Sequence, residues 1–324
     1  MNSRSGSVKK NALECDGRCW APRSSHRARR RVLGGAVLLA CFLMLPDPAS
    51  AFFERLFLST RTQSMGGAFV AVADDASATV SNPAGLTQVP SVEFLSSLSR
   101  PYGLTDLTEA YIAAAVPTAY GALGLSWHRF ALEDVTSEDL FTISFGRDLV
   151  RTSQDASLSI GAGIDIQNIS YNDPNTLNES KTVLSGTLGV LLRPFQMIGL
   201  GYTLRNIGEP DFDFVAGGGS TPIEMTHAIG LAYHWNEICS FIYERERRQN
   251  GKWQDRFGLE LFAGDHLRLR GGLAGTDVTG GFGVVVSRVT IDAGVVTHDV
   301  LGTTYMVSVG VALPPRDGEE PTKW

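Results

Sequence analysis

Apolar and polar residues alternate along most of this chain, from Ser91 to Leu313. Successive side chains of a β-strand point to opposite faces, so a period of two predicts a strand with one apolar face and one polar face. The pattern is clearest in Thr303–Leu313. There Tyr305, Val307, Val309, Val311 and Leu313 alternate with Thr304, Met306, Ser308, Gly310 and Ala312.

Fourteen such segments predict an all-β fold, a transmembrane antiparallel β-barrel of about 14 strands over residues 91–313. They span residues 92–99, 108–117, 121–130, 139–148, 156–171, 181–193, 196–207, 224–235, 238–248, 253–263, 266–274, 279–287, 289–298 and 303–313. Every second connection is short, and most others, such as 131–138 and 208–223, are longer, as periplasmic turns and outer loops are. A soluble β-sandwich also alternates, but it explains fourteen long segments behind an export signal less well.

Residues 1–51 have the features of a signal peptide with an extended basic region. An apolar stretch runs from Val32 to Leu45 and precedes a cleavage site at Ala49-Ser50-Ala51. The alternative is a lipoprotein signal with Cys41 acylated. Cleavage after Ala51 would leave 19 basic and 31 acidic residues, a charge of −12 that disfavours nucleic acid as a partner. Of the four cysteines only Cys239 would remain, so no disulfide could form within the mature chain.

Residues 52–90 do not alternate and predict a short helical hatch or plug before the barrel. Asp74-Asp75 are expected at a helix start, where carboxylates favour the positive end. Asn82 and Pro83 have the residue types of an N-cap and a first helical position, and Ala84 follows them. The glycines at 66, 67 and 85 are expected to supply turns and close backbone approach. Residues 314–324 form a polar tail without an assigned role.

This region resembles a known superfamily through Met65-Gly66-Gly67-Ala68, Ala73–Ala78 and Asn82-Pro83-Ala84-Gly85-Leu86. These motifs are similar to the N-terminal signature of FadL-type outer-membrane transporters of hydrophobic compounds, and more similar still to that of the related PorV/PorQ family. The resemblance implies a fourteen-stranded barrel with a hatch. FadL-type members pass apolar molecules and release them sideways into the membrane. PorV-type members act in type IX secretion and handle cargo proteins.

The polar faces of the predicted strands supply the candidates for residues that line the lumen. They are His128, Asp165, Arg205, His234, Glu260, Arg268, Arg270 and Asp292. They could line a polar path or bind the hatch through carboxylate–guanidinium pairs, or merely form a solvated, charge-balanced interior. The charged run 244–248 predicts an extracellular rim, and the frequent glycines of the lumen faces suggest room for a ligand.

Three hypotheses follow for a barrel in the outer membrane of a Gram-negative-type bacterium, in contact with membrane lipid. The first is binding or transport of small hydrophobic molecules. The second is a PorV-like component of a secretion or surface-assembly system, with secretion-machinery proteins as partners. The third is a structural barrel. No catalytic or metal-binding pattern has supporting context, so neither enzymatic activity nor a cofactor or metal is expected.

Overall fold

Long antiparallel strands dominate the computed structural model, which describes residues 58–152, 156–171, 179–212, 221–236, 238–248 and 251–314. The barrel strands are β1 (Glu93–Arg100), β2 (Leu107–Thr118), β3 (Gly121–Leu132), β4 (Thr136–Arg151), β5 (Ser157–Tyr171), β6 (Glu179–Phe195), β7 (Ile198–Ile207), β10 (Thr226–Trp235), β11 (Cys239–Arg248), β12 (Gln254–Ala263), β13 (Leu267–Ala274), β14 (Asp277–Val286), β15 (Val289–His298) and β16 (Gly302–Ala312). Two further short strands, β8 (Asp211–Phe212) and β9 (Thr221–Pro222), pair with each other outside the barrel.

The fourteen long strands close into one antiparallel barrel. Each pairs with its neighbours in the chain, β7 pairs with β10 across the short β8–β9 ribbon, and β1 pairs with β16. The closing ladder runs from Glu93 opposite Ala312 to Arg100 opposite Tyr305. Closure leaves no open strand edge, which is the condition for a sheet to cross a membrane. The predicted barrel of fourteen antiparallel strands is therefore confirmed.

The predicted strand bounds differ from the observed ones by three residues at most. One connection was predicted wrongly. Residues 131–138 were expected to form a longer loop, but β3 and β4 extend into it and leave only Glu133–Val135 as a turn. The extension follows from pairing, because Leu132 lies opposite both Leu107 and Thr136 and the Val135 N–H donates to the Leu132 carbonyl.

The two faces of the strands differ as the alternation predicts. In β16, Tyr305, Val307 and Val309 are exposed on the outer surface, whereas Met306 and Ser308 are buried inside. Large apolar side chains are exposed along the outer faces of the barrel strands, and most buried strand residues are polar or small. An apolar exterior around a polar interior is the reverse of a soluble protein and is the distribution of a transmembrane barrel.

Residues 58–90, which we call the N-terminal segment, lie inside the barrel. The segment contains α1 (Thr60–Ser64), α2 (Ala78–Ser81) and a 3-10 helix (Pro83–Gln88); another 3-10 turn (Pro101–Gly103) follows β1. Within the described ranges, no helix has the length and hydropathy that crossing a membrane would require. The predicted signal peptide, residues 52–57 of the predicted hatch and residues 315–324 of the tail lie outside the described residues.

The barrel has two ends, defined by its connections. The turns after β2, β4, β6, β10, β12 and β14 lie at one end, which we call the short-turn end. The connections after β1, β3, β5, β7, β11, β13 and β15 lie at the other, the long-loop end, where residues 208–225 form the longest. Since β1 starts at the short-turn end, the N-terminal segment joins β1 there.

Candidate functional site

The N-terminal segment packs against the inner wall of the barrel at glycine positions. Eleven of the described glycines, which we call the lumenal glycines, would place a Cβ within 4 Å of this segment. They are Gly124, Gly146, Gly161, Gly189, Gly199, Gly201, Gly230, Gly258, Gly272, Gly281 and Gly294, on strands β3–β7, β10 and β12–β15. On the remaining side, buried Leu95, Tyr111 and Met306 belong to the same apolar cluster as residues of the segment.

These contacts correct the interpretation that glycine leaves room for a ligand. A Cβ at Gly161 would overlap the backbone of Pro83, and a Cβ at Gly201 would overlap the Val70 carbonyl. The space that the missing side chains leave is therefore filled by backbone and side-chain atoms of the N-terminal segment. Protein interiors pack at crystal-like density, so no side chain could be added there without moving the segment.

The Met65-Gly66-Gly67 motif forms a tight turn against strands β12–β14. Gly66 and Gly67 have φ values of +68° and +77°, which favour glycine. The Gly66 N–H donates to Thr279 Oγ1 at 3.0 Å, and that hydroxyl donates to the Ser64 carbonyl, also at 3.0 Å. Met65 is fully buried. The motif thus binds the segment to β14 through one threonine.

The Asn-Pro-Ala-Gly motif has a similar anchoring role on the opposite wall. Asn82 is the N-cap of the 3-10 helix, accepts from the Ala84 N–H at 3.2 Å and precedes Pro83 at the first helical position. Its amide donates to the Val70 carbonyl at 2.8 Å and to the Val190 carbonyl of β6 at 3.2 Å. Gly85 packs so closely on Ala73 that a Cβ would overlap the Ala73 carbonyl. The motif joins two parts of the segment to the wall.

Asp74 and Asp75 are held by Arg61, a residue that the sequence analysis did not single out. Arg61 Nη1 lies 2.6 Å from Asp74 Oδ1 and 3.1 Å from Asp75 Oδ2. Asp75 also accepts from the Ser77 N–H at 2.8 Å, just before α2. Asp75 lies two residues before Ser77, the N-cap of α2, and the first turn of α2 contains no acidic residue, so neither aspartate caps the helix as expected. The ion pair of both carboxylates with one guanidinium was not predicted.

The same guanidinium joins the segment to the barrel wall. Arg61 Nη2 lies 2.9 Å from Glu260 Oε2 on β12. Burial alone would lower the pKa of Arg61. The charges of Asp74, Glu260 and Asp75 outweigh burial and raise this pKa above its ordinary value, so Arg61 stays charged. Burial raises the pKa of Asp75 above its ordinary value, although the charge of Arg61 opposes this.

Three predicted lumen residues extend this ion-pair network along the inner face of the barrel. Arg270 Nε donates to Glu260 Oε1 at 2.8 Å, and Arg270 Nη1 donates to Asp292 Oδ1 at 2.5 Å. Ser308 Oγ then donates to Asp292 Oδ2 at 3.2 Å. The network therefore runs from the N-terminal segment across strands β12, β13, β15 and β16.

A second set of charges corrects the interpretation of residues 244–248 as an extracellular rim. Because the run lies on a strand, its residues alternate, and Glu244 and Glu246 are buried inside. Glu244 Oε2 accepts the N–H groups of Phe69 and Val70 at 2.8 and 2.9 Å. Glu246 pairs with Arg205, a predicted lumen residue, at 2.6 Å and with Arg256 at 3.0 Å. Only the residues of this run that point outward are exposed, as the predicted rim requires.

The other predicted lumen residues do not join these networks. His128 Nε2 lies 2.9 Å from Glu109. Asp165 accepts from the hydroxyls of Thr142 and Thr187, both at 2.6 Å. His234 is half-buried and pairs with Ser240 Oγ at 2.8 Å near the short-turn end.

Arg268 is separate from the network that its neighbour Arg270 joins. It donates to the Gly264 carbonyl at 2.8 Å and lies over the Phe262 ring, at the short-turn end. In the part of the chain that the structure describes, no group of three or more His, Cys, Asp or Glu side chains could hold a metal ion.

A cavity of about 660 Å³ lies between the N-terminal segment and the long-loop end. Phe69, Val70 and neighbouring residues of the segment form its floor. Asp165, Arg205 and residues of the long-loop end, such as Trp253, form its walls. The lumen is thus divided by the segment, with its cavity on the long-loop side.

A closed barrel with an apolar outer surface and a segment packed across its lumen defines a transmembrane β-barrel protein. No family model and no curated protein matches the chain. Solved structures of hydrocarbon channels and toluene transporters do match it in fold.

The chain is similar to the CymD monoaromatic hydrocarbon channel, with a TM-score of 0.59, 11% identity and coverage of 79% of this chain and 97% of that one. It is similar to the Pseudomonas putida toluene transporter TodX, with a TM-score of 0.56, 12% identity and coverage of 80% and 97%. A Pseudomonas aeruginosa FadL homologue matches with a TM-score of 0.54, 12% identity and coverage of 79% and 98%. At these identities the similarity establishes a shared fold.

Proposed function

We propose that this protein is an outer-membrane channel for small hydrophobic molecules, and that the N-terminal segment is its hatch. The exposed apolar side chains of the barrel suit a lipid environment. The fold is shared with channels named for monoaromatic hydrocarbons and toluene. The proposed membrane is the outer membrane, where such barrels occur, and its lipid is the immediate partner.

The observation that carries this proposal is the close contact between the lumenal glycines and the N-terminal segment. A segment in contact with ten barrel strands at glycine positions leaves little space for a solute to pass. Passage then requires that the segment move, which is what a hatch does. Its fastening by ion pairs and hydrogen bonds, rather than by strand pairing, allows it to move while the barrel stays closed.

Transport is tested with intact cells, because apolar molecules cross simple lipid bilayers unaided. We expect expression of this protein in a bacterium that lacks FadL-type channels to raise the uptake of labelled toluene above that of the empty vector. A barrel with its lumen blocked by a bulky substitution is the control. Equal uptake with and without the protein would favour a structural barrel instead.

Occlusion is tested in planar bilayers. We expect deletion of residues 60–88 to leave a membrane-inserted barrel with higher conductance than the intact protein. Heat modifiability on gels reports whether the shortened chain still forms a barrel. An unchanged conductance in an inserted barrel would show that the segment does not occlude the lumen.

A second candidate is a PorV-like role in protein secretion or surface assembly. It is supported by the resemblance of Met65–Ala68, Ala73–Ala78 and Asn82–Leu86 to PorV/PorQ motifs. Its test is cross-linking in the native host followed by purification of the barrel. Recovery of secretion-apparatus proteins would support this role. A host genome without type IX components would exclude it.

A further inference from the structure

An apolar groove lies on the lipid-facing surface of the barrel, across strands β10–β13. Its volume is about 450 Å³, and we call it the outer groove. Side chains that point away from the lumen form its sides, among them the exposed Leu231, Phe241, Phe257 and Leu273. The groove is therefore separate from the cavity inside the barrel and faces the membrane.

Gly271 leaves the outer groove open. It points outward on β13, between the exposed Leu269 and Leu273, because Arg270 is buried on the inner face. Apart from its chain neighbours, a Cβ at Gly271 would meet no atom closer than the Thr279 carbonyl at 4.0 Å. The lumenal glycines are filled by the N-terminal segment, whereas the space at Gly271 is left for a molecule from outside the barrel.

A basic cluster, Arg245 and Arg247, lies directly beyond the groove toward the long-loop end. Tyr243, Arg245 and Arg247 occupy every second position on the outer face of β11, so each lies about 7 Å from the next. Tyr243 lines the groove, and both arginines are exposed. The cluster is therefore within reach of the polar end of a molecule whose apolar part occupies the groove.

The two arginines share one aromatic partner. The guanidinium carbons of Arg245 and Arg247 lie 5.3 and 5.8 Å from the centre of the Trp253 ring. Contact with an indole face orients a guanidinium and leaves its N–H groups able to donate elsewhere.

The acidic residue closest to the cluster compensates for only part of its charge. Asp255 lies opposite Arg245 in the ladder, pairs with its Nε at 3.3 Å and accepts from the Tyr243 hydroxyl at 2.6 Å. Arg247 donates through Nε to the Gly251 carbonyl at 3.3 Å and, within the described part of the chain, pairs with no carboxylate. Two arginines against one aspartate leave a net positive charge above the groove.

The position of the cluster matches the depth of lipid headgroups. Tryptophan and tyrosine are enriched at the membrane–water interface, and Trp253 is exposed next to the first residue of β12, at the long-loop end. The longer loops of such barrels are extracellular. The arginines then lie at the level of the outer-leaflet headgroups, and the groove lies at the level of the acyl chains.

We propose that the outer groove and the basic cluster together bind a membrane lipid with an anionic, phosphorylated headgroup. An acyl chain occupies the groove beside Gly271, and the phosphate accepts hydrogen bonds from Arg245 and Arg247. Arginine suits phosphate because its guanidinium presents several donors in a fixed fork. A zwitterionic lipid offers the same chains, but its ammonium group is repelled by the arginines. The site lies outside the lumen and does not depend on the proposed channel function.

The test is native mass spectrometry of the purified protein in detergent micelles. The protein is titrated with phosphatidylglycerol and with phosphatidylcholine, both with one palmitoyl and one oleoyl chain. We expect one phosphatidylglycerol to bind to wild type about tenfold more tightly than phosphatidylcholine does. Arg245→Gln combined with Arg247→Gln is expected to abolish this preference.

Each part of the site has a matched control. Arg129→Gln should retain the preference, because Arg129 also points outward near the long-loop end and pairs with Asp139 at 3.4 Å, but lies on β3, away from the groove. Gly271→Leu fills the groove and should weaken the binding of both lipids. Ala114→Leu adds bulk to the outer face of β2 and should not. Should Gly271→Leu fail to form a heat-modifiable barrel, Gly271→Ala is expected to cause a smaller loss in the same direction.

Equal affinity of wild type for the two lipids would overturn the proposal, and so would a preference that survives the double arginine substitution. Undiminished binding when the groove is filled would mean that the arginines bind phosphate without a seated acyl chain, which would also overturn it. Each of these results leaves the proposed channel function standing.

Discussion

Arg61 of the N-terminal segment donates to Glu260 of β12, 199 residues further along the chain, at 2.9 Å. The same guanidinium lies within 3.1 Å of Asp74 and Asp75. One largely buried arginine therefore pairs with carboxylates of the segment and of the barrel together. Removing one partner of a buried ion pair leaves uncompensated charge, which typically costs about 3–5 kcal/mol.

We accordingly predict that Arg61→Ala releases the N-terminal segment and raises channel conductance in planar bilayers. Three carboxylates would then face one another without their shared cation. Arg129→Ala is the matched control, because Arg129 is half exposed and pairs weakly with Asp139 at 3.4 Å. Equal conductance for the two variants would contradict a fastening role for Arg61.

The lumenal glycines give a second prediction. Gly161→Ala would place a Cβ inside the van der Waals distance of Pro83 backbone atoms, which cannot move without moving the 3-10 helix. In Gly186→Ala, on the adjacent strand, the nearest atom would be the Ile207 Cβ at 3.7 Å, an ordinary contact. We expect Gly161→Ala to lower the thermal unfolding midpoint or to increase protease cleavage within residues 78–88, and Gly186→Ala to change neither. Similar behaviour of both variants would show that the close packing is not essential.

Glu244 gives a third prediction, which hydrogen exchange can resolve at single amides. Its Oε2 accepts from the Phe69 and Val70 N–H groups, which have no strand partner. Each hydrogen bond to a charged group contributes about 1.5–3 kcal/mol. We expect Glu244→Ala to raise exchange at these two amides by one or more orders of magnitude, and Arg245→Ala, which alters an exposed neighbour, to leave it unchanged. Retained protection in Glu244→Ala would mean that other contacts hold this turn.

The barrel could be predicted from sequence because period-two alternation is a local property that also fixes which face of each strand meets lipid. The same rule, applied to residues 244–248, would have placed Glu244 and Glu246 inside. The charge of the run suggested a solvent-exposed rim instead. Burying these two glutamates inside the barrel is tolerated because each is paired with an arginine, Arg205 or Arg256.

The N-terminal segment was harder to predict, because its contacts are long-range and carry no periodic signal. Arg61 lies in a five-residue helix with no feature that marks it, and its partner Glu260 belongs to another part of the chain. The lumenal glycines were noticed, but sequence alone does not distinguish an empty position from one filled by another backbone. Gly85 and Asn82 could be assigned because their turn and capping chemistry is local.

A final prediction concerns pH. Burial raises the pKa of Asp75 above its ordinary value of 3.8, so the folded state binds a proton more readily than the unfolded state does. The stability that this group contributes is therefore greatest at low pH and declines as pH rises through the folded pKa.

Asp75→Asn lacks this titration. We expect the free energy of unfolding of wild type, relative to Asp75→Asn, to fall between pH 4 and neutral pH, as measured by urea denaturation in lipid vesicles. Asp265→Asn, on an exposed turn, should show no such trend. A wild-type-to-Asp75→Asn difference that is constant with pH would mean that Arg61 keeps Asp75 ionised throughout.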